Sequence, residues 1–294
     1  MTALWRRHPV GIVGLGLIGG SLGLDLQAAG AVVKALVHRE ATAERARRRG
    51  LATEVSTDPA VLLDCGLVVL ALPLDRLLDP GPELLAALPA EAVLTDVGSV
   101  KAPVLARWEG LVGGRFVPGH PMAGTASSGV EAGEPGLFRG RPWVATPSAA
   151  TDPVALEAVC ELAGAVGARW LTCAAGEHDR AVALISHLPV LVSAALLQAA
   201  DRGSRQPVGS GAGEDLPALV RALASSGFAD TTRVGGGNPE LGTLMARSNQ
   251  EAVLAVLGFY REAITAFEAL VEQGEWRALR QGLEECQRMR PDFL

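Results

Sequence analysis

Three polar stretches interrupt an otherwise apolar chain, and each carries a residue type that can do chemistry. Asp96-Val97-Gly98-Ser99-Val100-Lys101 follows the apolar run Ala92–Thr95. Ser99 is thus placed at the carboxyl end of a predicted strand, the edge where open α/β sheets bind ligands. Gly119-His120-Pro121-Met122-Ala123-Gly124-Thr125 follows another strand, Arg115–Val117, and reaches the same edge. A histidine between glycine and proline suits simple packing poorly, and imidazole titrates near neutral pH. His120 is therefore a candidate general base; the alternative is a hydrogen-bonded structural loop residue. The third stretch is Ser225-Ser226-Gly227-Phe228-Ala229-Asp230-Thr231-Thr232-Arg233. The planar fork of Arg233 matches a carboxylate, which makes it a candidate anion clamp. Without other context it reads equally as a surface or intersubunit salt bridge.

A base and an anion clamp oxidise nothing without an electron acceptor, and the N-terminal stretch supplies a place for one. Val10-Gly11-Ile12-Val13-Gly14-Leu15-Gly16-Leu17-Ile18-Gly19-Gly20 reads as strand, glycine turn and helix start. Gly14, Gly16 and Gly19 fit G-x-G-x-x-G. The first permits the tight turn, the second lets a pyrophosphate approach the backbone, and the third lets helix and strand pack closely. Free N–H groups at Leu17 and Ile18 and the positive dipole end face the phosphates. In NAD-binding versions an acid ends the next strand, about 20 residues past the turn. Here His38 and Arg39 occupy that place, with Glu40 beyond it. An arginine pairs with a 2′-phosphate that an acid would repel, so the cofactor is expected to be NADP. The alternative is a solvated Arg39 and use of NAD as well. Arg45, Arg47, Arg48 and Arg49 read as a solvated helix face near that phosphate.

The elements that must position these residues alternate through the first half. Strands are predicted over 31–37, 66–73, 92–95, 115–117, 142–146 and 169–172, with helices over 41–49, 76–88, 102–108 and 153–166. Such alternation implies a Rossmann-like, doubly wound parallel sheet, closed by the last two strands. A long loop covers 120–141. From residue 176 almost no strand is expected; helices are predicted over 178–200, 217–226, 241–248, 251–272 and 275–288. Asp201–Glu214 is rich in Gly, Ser and Pro and reads as a loop. The chain is thus expected to divide into a dinucleotide-binding domain, 1–173, and an all-α domain, 174–294. His178 and His187 lie nine residues apart in one predicted helix, about 180° apart at 3.6 residues per turn, so they cannot form a local metal pair. His178 is placed at the helix start and His187 in packing.

Composition narrows the partners. The net charge of −6 leaves no basic field for nucleic acid. No uninterrupted apolar run approaches the ~18 residues of a membrane span, and Met1–His8 precedes no signal-peptide core. Cys65, Cys160, Cys173 and Cys286 show no metal-ligand spacing and read as buried free thiols of a reducing cytoplasm. No metal is expected.

Taken together, GLGLIGGSL, DVGSVK, GHPMAGT, EHDRAVALISHLP and SSGFADTTRVGGGNPELG resemble the prephenate and arogenate dehydrogenase family over residues 9–273. GHPMAGTA and GGGNPELGT are most similar to the NADP-dependent arogenate dehydrogenases of cyanobacterial type. The resemblance implies oxidative decarboxylation of a cyclohexadienol, with hydride passing to NADP (or NAD) and release of tyrosine or 4-hydroxyphenylpyruvate. It implies His120 as the base, Ser99 positioning His120 or the substrate hydroxyl, and Arg233 holding a substrate carboxylate. It places Ser186 near the reacting hydroxyl, Thr125 in the substrate loop, and Leu72 and Pro73 against the cofactor. A homodimer through the helical domain is also implied. No regulatory amino-acid-binding domain is expected after the last predicted helix.

Some prephenate-using members carry Glu, His and Trp where this chain has Ala126, Val190 and Gly242. Those absences favour arogenate over prephenate, with a prephenate-specific NAD enzyme as the alternative. Other hydroxy-acid dehydrogenases of this plan use a lysine base in the helical domain. This chain has only Lys34 and Lys101, both in the first half. A cofactor-binding sensor would need no base.

Overall fold

The computed structural model describes residues 3–125, 127–205 and 216–293. After a short helix, α1 (Leu4–Arg7), the chain enters β1 (Val10–Val13), α2 (Leu17–Ala28), β2 (Val33–Leu36), α3 (Glu40–Arg48) and β3 (Glu54–Ser56). It continues through β4 (Leu67–Leu70), α4 (Leu74–Leu78), α5 (Pro82–Ala87), β5 (Val93–Asp96), α6 (Ala102–Val112) and β6 (Phe116–Val117). These six strands form one parallel sheet in the order β3-β2-β1-β4-β5-β6. β1, β4 and β5 are buried along their whole length, as strands covered on both faces must be. One apolar layer gathers Ile12, Leu22, Leu26 and Val69; the opposite layer gathers Leu70, Leu94, Val104 and Trp108. The edge strand β3 escapes sequence reading because it has only three residues, one of them buried. The single helix expected over 76–88 is two, divided around Pro80 and Gly81, because proline cannot donate in a helix interior.

The expected closing strands take another course. β7 (Gly119–Pro121) pairs antiparallel with β8 (Pro142–Ala145), and β8 pairs parallel with β9 (Arg169–Thr172), in a separate three-stranded sheet. α7 (Pro153–Ala165) joins β8 to β9. Pro118 ends β6 because it has no N–H for the ladder, while its carbonyl accepts a hydrogen bond from Thr146 N at 3.0 Å. The chain therefore leaves the parallel sheet two residues before His120 and enters a new one.

The remaining described elements are helical: α8 (Ala175–Val182), a π turn over Ala183–His187, α9 (Leu188–Arg205), α10 (Leu216–Leu223), α11 (Ser226–Thr232), α12 (Pro239–Ser248), α13 (Gln250–Glu272) and α14 (Trp276–Met289). Residues 201–205, expected in a loop, continue α9; the rest of that predicted loop, 206–214, lies outside the described residues. So does the departure at Ala126. α8, the π turn and α9 form one helix, Ala175–Arg205, long and apolar enough by length and composition to span a membrane. Its apolar residues are interspersed with Ser186, His187 and Ser193, so no uninterrupted run announces it.

Candidate active site

The glycine turn is shaped by three different needs. Gly14 has φ +95°, and a side chain there would start 2.5 Å from the carbonyl oxygen of Ala71. Gly19 would place a Cβ 2.0 Å from the Gly14 carbonyl oxygen, so α2 can lie against β1 only without one. Gly16 has nothing within 4 Å of where its Cβ would be. It is the N-cap of α2 and no side chain caps the helix, so the first-turn N–H groups at Leu17 and Ile18 have no intrahelical partner. Open space above bare N–H donors is what a pyrophosphate requires. Leu72 stands beside Gly14 at the end of β4, and Pro73 is the N-cap of α4. These residues fit a dinucleotide.

At the end of β2, His38, Arg39 and Glu40 are all exposed. Arg39 Nε donates to His38 Nε2 at 2.8 Å. Glu40 is engaged by Arg47 Nη1 at 2.6 Å, which neutralises the nearest acid. The arginine run is not a free solvated face. Arg45 pairs with Glu131 at 2.8 Å, Arg47 donates to the Val55 carbonyl, and Arg49 donates to the carbonyls of Val130 and Gly133. Arg45 beside Glu131 holds that carboxyl below its ordinary range. Three of the four arginines thus fasten α3 to neighbouring segments, two of them to the 130–133 turn, a tertiary use that spacing along the chain does not reveal.

Asp96, at the end of β5, is the hub of the second cluster. Its Oδ2 accepts from Gly98 N at 2.8 Å, turning the chain so that Ser99 is half-buried at the strand end. Its Oδ1 accepts from Gly119 N at 3.1 Å, one residue before His120. Lys101 Nζ, fully buried, binds Asp96 Oδ2 and donates to the Gly119 carbonyl at 2.6 Å. The Ser99 and His120 stretches, separate in sequence, are buckled together through one carboxylate and one ammonium.

His120 pairs opposite Val144 in β7. Its Nδ1 lies 2.9 Å from Nε2 of His178, and His178 Nδ1 lies 2.8 Å from Asp179 Oδ1. Asp179 also accepts from the backbone N–H of Lys101 at 2.7 Å and of Ala102 at 2.8 Å. Burial first, then the Lys101 ammonium and the neighbouring His178 and His187, push the His120 pKa well below 6.5. The ring therefore stays neutral far below the near-neutral titration expected of it. His187 is lowered too, chiefly by burial; its Nδ1 lies 3.3 Å from Asn249 Nδ2, which donates to the Asp179 carbonyl at 2.7 Å. The π turn, with its wider spacing, begins after His178 and ends at His187, so the angle of an ideal α-helix does not apply to them. Both are buried in one network. His178, Asp179 and Asn249 carry no local motif that would announce this meeting.

The other expected residues are placed as follows. Ser186 is half-buried within the π turn. Thr125 is exposed, and its hydroxyl accepts from Ser127 N at 3.2 Å. Arg233 is exposed at the end of α11. Two residues on, Gly235 N donates to Ser193 Oγ at 2.8 Å, fastening that turn to α9. Neither Ser99 nor Arg233 makes a side-chain hydrogen bond among the described residues, and Arg233 forms no ion pair with Asp230. No group of three or more His, Cys, Asp or Glu is placed to hold a metal among the described residues.

A six-stranded parallel sheet opened by this glycine turn, followed by a helical domain whose histidine network reaches the sheet edge, defines a nicotinamide-dependent dehydrogenase of two-domain plan. Residues 22–172 match the nucleotide-binding domain of prephenate dehydrogenase, and residues 174–285 match its dimerization domain. The chain belongs to the prephenate dehydrogenase family, NAD(P)-dependent oxidoreductases that carry out the oxidative decarboxylation step of tyrosine biosynthesis.

It is 28% identical over 288 residues to a cyclohexadienyl dehydrogenase of Zymomonas mobilis, covering 96% of this chain and 94% of that one. The crystal structure of Synechocystis arogenate dehydrogenase superposes with a TM-score of 0.80 at 38% identity, over 97% of this chain and 100% of the other. Prephenate dehydrogenase from Aquifex aeolicus, in complex with hydroxyphenyl propionate and NAD+, gives a TM-score of 0.87 at 27% identity, over 98% of each chain.

Proposed function

We propose that this chain is an NADP-linked dehydrogenase with a preference for arogenate, and that His120 is its general base. The observation that carries this reading is the neutral, half-buried His120 ring held at the sheet edge through Nδ1, which leaves Nε2 for a substrate hydroxyl. When bound, NADP supplies the hydride acceptor. His120 Nε2 takes the C4 hydroxyl proton as the O–H bond breaks; that electron pair becomes the second C–O bond as the C4–H bond breaks with loss of its hydride. Loss of the ring carboxylate as CO2 then completes the aromatic ring. Arg233 holds a substrate carboxylate, Ser99 and Ser186 lie beside the reacting hydroxyl, and Thr125 contributes from the loop. Gly14, Gly16, Leu17, Ile18, Gly19, Leu72 and Pro73 hold the dinucleotide, and His38 and Arg39 meet the 2′-phosphate. The engagement of Glu40 by Arg47 supports NADP, since the acid next to Arg39 in the chain is paired.

Arogenate is favoured because Val190 and Gly242 face each other. A Cβ at Gly242 would stand 3.6 Å from Val190 Cγ1, and both line a cavity of about 650 Å³ with Asn238, Thr243, Arg247 and Gln250. No histidine or tryptophan fills that space. The 38% identical arogenate dehydrogenase supports the same choice. The division at 173/174 and a homodimer through the helical domain belong to this reading. Leu254, Phe259, Ile264 and Trp276 expose large apolar surface on α13 and α14, and we assign that surface and the apolar face of Ala175–Arg205 to a second copy, not to a membrane. A cytoplasmic setting accords with four free thiols, of which Cys65 is buried as expected while Cys160 and Cys173 are half-buried and Cys286 is exposed.

The test is kcat/KM for arogenate and prephenate, each with NADP and NAD, followed by absorbance growth at 340 nm and CO2 release. Arogenate with NADP is expected to give the highest value. A higher value with NAD defeats the reading of His38 and Arg39, and a higher value with prephenate defeats the substrate choice. His120→Asn is expected to lower kcat by roughly 10²–10⁴-fold, the usual contribution of a positioned base.

A further inference from the structure

We propose that Asp179 and His178 are positioning residues that fix the tautomer of His120, so that the unprotonated nitrogen facing the substrate is Nε2. This deepens the assignment of His120 as the base and rests on it. The three groups form one line: Asp179 Oδ1 to His178 Nδ1 at 2.8 Å, then His178 Nε2 to His120 Nδ1 at 2.9 Å.

The direction of the hydrogen bonds along this line follows from its far end. Asp179 accepts two backbone N–H groups, from Lys101 at 2.7 Å and from Ala102 at 2.8 Å. A backbone N–H can only donate, so both Asp179 oxygens act as acceptors, and Oδ1 is the one that also faces His178 Nδ1. With those oxygens accepting, the contact at 2.8 Å assigns the proton to His178 Nδ1, which donates it. With a single proton on the ring, the other nitrogen is then a lone pair, so His178 Nε2 accepts. The only proton that can lie between it and His120 is on His120 Nδ1. That leaves His120 Nε2 as the lone pair, and a base requires its lone pair at the reacting hydroxyl.

The opposite arrangement, with the proton on His120 Nε2, would present an N–H to a hydroxyl proton and abolish base action. Serine hydrolases show the same logic, where an aspartate holds a histidine in the working tautomer without itself becoming protonated. When His120 takes the substrate proton, the O–H bond breaks and an N–H bond forms at Nε2. The Nδ1 proton stays where it is, donated to His178 Nε2, and no proton moves to Asp179. The charged and titratable groups facing this line are Lys101, on the loop before α6, Asp96 at the end of β5, and His187 in the π turn. Burial of His178, 3% exposed, keeps water from competing for the line.

The experiment is two-bond ¹H–¹⁵N correlation on protein labelled at histidine nitrogen, above neutral pH, with the His120 signals assigned by their loss in His120→Asn. The expected result is an Nδ1–H tautomer for both His120 and His178 in the wild type. An Nε2–H tautomer at His120 overturns the proposal whatever the activity shows. His178→Leu is expected to shift His120 towards the Nε2–H form. It should lower kcat by about 10- to 100-fold, as loss of an outer partner of a working imidazole does, with KM and the Kd for NADP within about twofold. A His178→Leu enzyme of unchanged kcat overturns it; if that variant does not fold, the wild-type spectrum decides alone. If the tautomer is as expected but His120→Asn keeps its rate, it is the assignment of the base that fails.

Discussion

Asp179, in the first helix after the two sheets, accepts the backbone N–H of Lys101, 78 residues earlier, at 2.7 Å. With the Ala102 N–H it satisfies the amino end of α6, which no side chain of its own caps. One carboxylate thus ties the helical region to the Rossmann-like sheet at the point where the histidine line begins. Asp179→Ala is expected to cost about 2–4 kcal/mol in stability, since hydrogen bonds to a charged group contribute ~1.5–3 kcal/mol each and partial relaxation recovers some of it. Urea unfolding with an unchanged m-value would measure this. A loss under ~0.5 kcal/mol would show that the tie is not structural.

Lys101 and Asp96 form a wholly buried ion pair. Lys101→Met keeps the volume and leaves Asp96 without its ammonium, so destabilisation of about 3–5 kcal/mol is expected. The same variant removes a positive charge that depresses His120. Where it still folds, the acid limb of kcat/KM should move up towards the ordinary histidine range. A limb that stays put would separate Lys101 from the electrostatics of His120.

Gly16 and Gly19 should respond differently to alanine. At Gly16 there is nothing within 4 Å to meet a new methyl group. Gly16→Ala should therefore keep nearly the wild-type melting temperature while affinity for the nicotinamide cofactor falls, because the methyl group occupies phosphate space. At Gly19 the methyl group would lie 2.0 Å from a carbonyl oxygen, so Gly19→Ala should lose stability and cofactor together. Paired melting curves and NADP titrations distinguish the two roles. Equal loss of stability in both variants would contradict the open geometry at Gly16.

The depressed pKa values of His120 and His187 make stability pH-dependent with a definite sign. In the unfolded chain these rings titrate near 6.5. In the folded chain they stay neutral to lower pH, so below 6.5 the unfolded state binds protons that the folded state does not. Their contribution is present in full above 6.5 and is lost as pH falls from there towards the folded values. Tm should decline in that window, and His120→Asn should flatten the decline. A Tm that rises on acidification through it would reverse the assignment.

Much of this was legible without coordinates, for physical reasons that differ by residue. The glycine turn was readable because its constraints are local: a left-handed φ at Gly14 and a close approach at Gly19 can be met only by glycine at that spacing. The buried strands β1, β4 and β5 announced themselves as apolar runs. Ser99 and His120 stood out as polar residues directly after strands. The edge strand β3 was too short to show. The branching of β7, β8 and β9 into a second sheet depends on pairing partners that no local pattern specifies.

What the sequence by itself determined is the glycine turn, the alternation of strands and helices followed by a helical half, and, through five motifs in order, the family. Only the tertiary structure decided what the side chains of those motifs meet. His120 and His178 are 58 residues apart, and Lys101 and Asp179 are 78 apart. Their contacts arise where α8 packs against the carboxyl edge of the parallel sheet, and the low dielectric of that junction, with a buried ammonium beside the ring, sets the charge state of His120. Side-chain chemistry is written residue by residue, whereas a pKa and a hydrogen-bond direction belong to an environment assembled by folding.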